Sequence, residues 1–177
     1  MIRYVLPVLA FTLVAVVSFS VWAFGGRVLN STWSLYTSCA VVFLLLGGVA
    51  LLPFSGGAGR KPLYRLLWLF PLSFTVYSIC WTVGWLSFKN HFGEIVGSAT
   101  GIIAMTAVIR TKLPYSRTVL EASAVVFLFY TVGYYAGEMI YKEVGGLWGK
   151  LGWGTGFGAG LGAGLAYLVQ LSASSRN

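Results

Sequence analysis

The sequence predicts an all-α integral membrane protein: a six-helix transmembrane bundle with short loops, both termini cytoplasmic and a glycine-zipper last helix. Three observations carry this. The 177 residues are 58% hydrophobic and 16% aromatic but only 9% charged, where ordinary soluble domains carry about 25% charged residues. Apolar runs of the length that crosses a hydrocarbon core recur six times along the chain. No stretch alternates polar and apolar residues in the manner of an outer-membrane strand. One transmembrane domain covering residues 1–177 follows, and its mean hydropathy of +0.82 leaves no stretch for a soluble domain.

The first span covers residues 2–24. Ala23 and Gly25 would suit signal-peptide cleavage, but the apolar run is too long for a leader. After a glycine-rich linker at 25–32 the second span runs over 33–54, and the Ser-Gly-Gly-Ala-Gly-Arg-Lys-Pro linker at 55–62 precedes the third, 64–88. That third span carries Ser73, Thr75, Tyr77, Ser78 and Thr82, a polar side that lines a narrow cavity or grips a neighbouring helix. The fourth span, 94–110, is the shortest and holds Gly97, Ser98 and Gly101. The fifth and sixth cover 118–141 and 150–171, and residues 172–177 form a polar tail.

Charge sets the orientation. With the N-terminus inside, Arg3, Arg60, Lys61, Arg65, Arg110, Lys112, Arg117 and Arg176 fall on the cytoplasmic side. Arg27, Lys89, Lys142 and Lys150 fall outside, eight against four. The net charge of +8 reflects this bias and contact with anionic membrane lipids, not nucleic acid. A multi-pass protein of a bacterial inner or plasma membrane is expected.

The tryptophans are lopsided. Trp22, Trp33, Trp81, Trp85, Trp148 and Trp153 lie toward outer span ends, with Tyr36, Tyr134, Tyr135 and Tyr141, and only Trp68 lies inside. Such residues form an interfacial belt or wall an outward cavity for an apolar small molecule. Trp81, Trp85, Tyr130, Tyr134 and Glu138 are the candidate pocket.

The last span has glycine at every second position: Gly152, Gly154, Gly156, Gly158, Gly160, Gly162 and Gly164. Two residues turn a helix by about 200°. The glycines therefore form two tracks on opposite faces, 152/156/160/164 and 154/158/162, each spaced for close backbone approach in lipid. Seven glycines cost on the order of 7 kcal/mol of helix propensity, so two neighbouring helices must offset them. One belongs to the chain; the other is a further span, a second protomer or another subunit. The run resembles the tightly packed inner helix of rotor-ring subunits of rotary ATP synthases, which implies the same packing geometry. That family is a two-helix hairpin with a carboxylate inside its second helix, and this chain departs on both counts.

Trp81-Thr-Val-Gly-Trp85 followed by Glu94-Ile-Val-Gly97 returns as Tyr130-Thr-Val-Gly-Tyr134 followed by Glu143-Val-Gly-Gly146, 49 residues later. This reads as two copies of one hairpin in the same orientation, a parallel repeat of the kind transporters use.

The four acids argue against a charge-coupled pump, which places a carboxylate at mid-depth. Glu94 and Glu143 fall at the starts of spans four and six. Glu121 lies four residues after Arg117, and Glu138 four before Lys142. His91 is a loop residue with no partner at metal spacing. No catalytic residue, cofactor or metal site is read from the chain. Cys39 and Cys80 lie at matching depth as free thiols or a bridge, and Asn30-Ser31-Thr32 matches a glycosylation triplet.

Three function classes remain. The first is a non-enzymatic structural or assembly subunit, packing through its last helix with another membrane subunit or as a homo-oligomer. The second is a small solute-binding transport component, whose size and topology look like the substrate-binding subunits of energy-coupling-factor vitamin transporters. The third is a lipid-acting enzyme, for which acid–base residues are scarce.

Overall fold

The computed structural model describes residues 2–29, 31–50 and 60–174. Six helices follow one another: α1 (Ile2–Phe24), α2 (Thr32–Ala50), α3 (Arg60–Phe88), α4 (His91–Arg110), α5 (Val119–Val144) and α6 (Gly146–Ser174), with a short 3-10 turn at Gly25–Arg27. Each has a stretch long and apolar enough to cross a membrane, and the described residues contain no strand. The end of the expected second span, residues 51–54, lies outside the described residues, as do Asn30 and Arg176.

Local chemistry sets the helix ends. Lys89, at φ 52°, breaks α3, and Asn90 then caps α4 by accepting the Gly93 N–H at 3.0 Å. That cap starts α4 at His91, before the expected residue 94. Thr118 and Glu121 form a reciprocal capping box at the start of α5, so the Glu121 carboxylate accepts from the Thr118 N–H at 2.9 Å. Gly145 and Gly146, at φ 64° and 53°, make the turn into α6, a left-handed conformation that glycine adopts without strain. Because that turn is so tight, α5 continues to Val144. Glu143 therefore sits in the last turn of α5 and does not begin span six.

The helices form a closed ring. Each packs mainly on its chain neighbours, and α6 closes the ring on α1. The interfaces α5–α6, α1–α6 and α3–α4 are extensive, whereas α1–α2, α2–α3 and α4–α5 are thinner. Glycine explains the difference. Gly154, Gly158 and Gly162 face α1: a Cβ at Gly158 would stand 2.8 Å from both Phe11 O and Thr12 Cα. Gly152, Gly156, Gly160 and Gly164 face α5, where a Cβ at Gly160 would stand 2.8 Å from Gly133 Cα. Both tracks of α6 thus meet helices of the same chain at backbone contact. α1 and α6 run antiparallel, so the start of α1 and the end of α6 share one end of the bundle. At the opposite hairpin end, α1 turns into α2, α3 into α4, and α5 into α6.

The α3–α4 and α5–α6 hairpins repeat a packing layer. A Cβ at Gly84 would stand 2.7 Å from Gly97 Cα, and one at Gly133 2.6 Å from Gly160 Cα. The carbonyls of Gly93 and Gly156 complete the two layers, and further along Tyr77 faces Gly101 as Val126 faces Gly164. First helices correspond at 49 residues but second helices at 63. The extra length lies in the turn: α5 continues 11 residues past Gly133, and α3 only four past Gly84. The arms of α5–α6 are therefore about 10 Å longer. This corrects the sequence repeat, since Trp81–Trp85 matches Tyr130–Tyr134 in place while Glu94/Glu143 and Gly97/Gly146 do not correspond.

Aromatic rings fill the interior. Phe43, Phe74, Tyr77, Tyr130 and Phe157, from α2, α3, α5 and α6, form a closed circuit with centroids 4.9–5.9 Å apart. Phe70 joins Phe43 to Phe11 of α1. Within the circuit the Tyr77 hydroxyl donates to the Tyr130 hydroxyl, tying α3 to α5. Pro71 deprives the Leu67 carbonyl of its helical donor, and that carbonyl lies against Gly48 of α2, 2.6 Å from the position of a Cβ.

Candidate functional site: an aromatic pocket between α1, α2 and α6

The residues read as a pocket from sequence lie on α3 and α5. Tyr130 is buried, hydrogen-bonded to Tyr77 and stacked on Tyr134 at 5.7 Å. Trp81 and Trp85 stack on each other along one face of α3, at 6.3 Å, and Trp85 is exposed. Glu138 pairs with Lys142 at 2.8 Å, and Glu94 with His91 at 3.0 Å. The polar side of α3 divides: Ser73 and Ser78 bond their own helix through Phe70 O and Phe74 O. Thr75, Ser78 and Thr82 border a shallow groove against Ala40 and Leu44 of α2.

Space opens elsewhere. A half-open cavity of about 210 Å³ lies near the hairpin end, lined by Phe19 and Trp22 of α1, Tyr36 and Cys39 of α2, and Trp153 of α6. Its walls are almost wholly apolar. Sequence reading placed Trp22, Tyr36 and Trp153 among the outer aromatics and Cys39 near them in depth, but did not single out Phe19.

Each wall has a local cause. Gly154 leaves room for Phe19, whose Cβ would be 2.8 Å from a Cβ there. Phe19 and Trp22 meet Trp153 edge-on at 6.1 and 5.8 Å. Tyr141 braces Trp22 and Trp153 from α5 at 5.5 and 5.4 Å. On the other side the Ser18 hydroxyl donates to the Cys39 carbonyl at 2.7 Å, fixing α2 against α1. Cys39 and Cys80 are free thiols.

One cationic side chain stands beside this cavity. Lys150 places its ammonium 4.7 Å from the centre of the Trp22 ring and reaches the Trp22 carbonyl at 3.5 Å. Among the described residues it has no carboxylate partner. The Trp153 indole nitrogen is buried without a hydrogen-bond partner among them. No cluster of potential metal ligands occurs among the described residues.

No family model, curated protein or solved structure matches the chain. Six helices long and apolar enough to cross a membrane make this a multi-pass helical membrane protein.

Proposed function

We propose that this chain is a non-enzymatic, solute-binding membrane component of a transporter. It takes a small, flat molecule whose apolar part seats in the pocket between α1, α2 and α6. The observation that carries the reading is the cavity itself: about 210 Å³ walled by four aromatic rings and a thiol. An apolar cavity of about 150 Å³ accepts benzene, so this one has room for a ring with a short tail. The charge bias of eight basic residues against four turns the pocket to the outside of a bacterial inner or plasma membrane.

An assembly subunit is the second reading, and α2 favours it. Only 17% of its apolar stretch is buried in the chain, and Trp33, Tyr36, Val41, Leu45 and Val49 are exposed. Both glycine tracks of α6 are occupied from within the chain, so a second copy or another subunit would dock on α2.

Native mass spectrometry of gently extracted protein tests both. The binding reading expects a monomer with a discrete small adduct, lost in Cys39→Phe, which fills the cavity, while the melting temperature holds. An adduct retained in that variant overturns this pocket as the site. A fixed oligomer without an adduct favours the assembly role.

A further inference from the structure

We propose that the pocket selects ligands carrying an anionic oxygen head, a single-ring carboxylate being the class that fits, with Lys150 as the specificity-determining residue. This inference rests on the binding reading and adds to it the chemistry of the ligand's polar end. Lys150 and Trp153 lie three residues apart on α6, one above the other on the same face. Trp22 touches both: its ring packs on Trp153 at 5.8 Å and carries the Lys150 ammonium at 4.7 Å. The cation therefore stands beside the pocket wall on the hairpin side of Trp153.

Lys150 has been brought to this place without an acid to meet it. Three of the four acidic side chains are engaged elsewhere, Glu138 on Lys142, Glu94 on His91 and Glu121 on the α5 cap, and the fourth, Glu143, forms no ion pair among the described residues. What Lys150 has is a ring face and one carbonyl at 3.5 Å, the long edge of hydrogen-bonding range. A ring seated among Phe19, Trp22 and Trp153 with a carboxylate directed toward Lys150 supplies the missing acceptor, and at partial burial such a charged bond is stronger than on an open surface. A phospholipid headgroup offers the same anionic oxygen, but two acyl chains exceed a 210 Å³ cavity.

The test uses the full chain in zwitterionic nanodiscs, with empty discs to subtract partitioning. 3-Phenylpropanoate and its neutral amide, 3-phenylpropanamide, are titrated by tryptophan fluorescence. The carboxylate is expected to bind about tenfold tighter than the amide. Lys150→Gln should bring the carboxylate down to the amide's affinity and leave the amide unchanged, and Lys150→Arg should keep the preference. Equal binding of both probes to the unaltered protein overturns this inference and leaves the pocket reading standing. A preference that survives Lys150→Gln also overturns it, and binding of neither probe overturns both. Discs containing phosphatidylglycerol separate the sources. Displacement of the carboxylate by that lipid, abolished in Lys150→Gln, would assign the site to a headgroup and overturn the choice of a free acid.

Discussion

Gly158→Ala is the sharpest probe of how this bundle is held together. A Cβ at this position would stand 2.6 Å from Ala15 Cβ and 2.8 Å from Phe11 O and Thr12 Cα. Ordinary carbon contacts begin near 3.5 Å, so α1 and α6 must part by roughly 0.7–0.9 Å at this layer. A gap of that size forfeits between a quarter and a half of each affected contact, and none of the three opposing atoms can rotate away, two being main chain and the third an alanine Cβ fixed by it. Overpacking of this kind costs about 1–3 kcal/mol, and a backbone-on-backbone clash belongs at the top of the range. The propensity gain of alanine over glycine, about 1 kcal/mol on soluble scales, offsets little, because spans are already helical in the bilayer before they pack. A loss of about 2–3 kcal/mol is therefore expected, read as a lower midpoint for SDS-driven unfolding of the monomer. Gly26→Ala, where a Cβ would meet nothing within 4 Å, is the matched control. Unchanged or higher monomer stability, or loss of an oligomer with the monomer intact, would refute the assignment of this glycine face to α1.

Two further outcomes follow from the polar ties between helices. Tyr130→Phe removes the hydroxyl bond with Tyr77 but keeps the ring in its circuit, so a loss of about 0.6–1.5 kcal/mol is expected in the same unfolding assay; a loss several times larger would show that more than one bond depends on that oxygen. Ser18→Ala breaks the 2.7 Å bond to the Cys39 carbonyl that holds α2 to α1. Removing about 1 kcal/mol should raise the rate of Cys39 alkylation by a membrane-permeant maleimide roughly fivefold while Cys80 labelling stays constant, and equal acceleration of both thiols would point to general loosening instead.

Six long apolar helices were legible in the sequence because hydropathy acts within each segment. Their ends were less so: a two-residue device such as Lys89-Asn90 or Gly145-Gly146 moves a boundary by a turn while hardly altering the hydropathy around it. The hairpin repeat was half legible. Trp81–Trp85 and Tyr130–Tyr134 share a motif because their glycines, Gly84 and Gly133, meet the same obstacle. The second helices align only after a shift in arm length that no constant offset reveals. The pocket was the least legible. Trp81, Trp85, Tyr130 and Tyr134 and the cavity-lining residues Trp22, Tyr36 and Trp153 are the same residue types at similar depth. Which rings pack and which enclose space depends on how α1, α2 and α6 splay, and that is a property of three distant segments. Ser18 was the weak local signal, a hydroxyl that bonds across to the neighbouring helix and not to its own.

The closure of the ring by α1 and α6 has a consequence for synthesis. α1 is made well before the helix that covers it: Trp22 and Lys150, which touch in the folded protein, are 128 residues apart. At roughly 5–20 residues per second, α1 spends on the order of ten seconds in the membrane with the face that receives Gly154, Gly158 and Gly162 turned to lipid. A chain that stops before α6 is left with that face uncovered, a mark by which quality control can tell an unfinished copy from a finished one. Joining the end of α6 to the start of α1 and opening the chain at the α2–α3 connection would shorten the wait without altering a contact between helices.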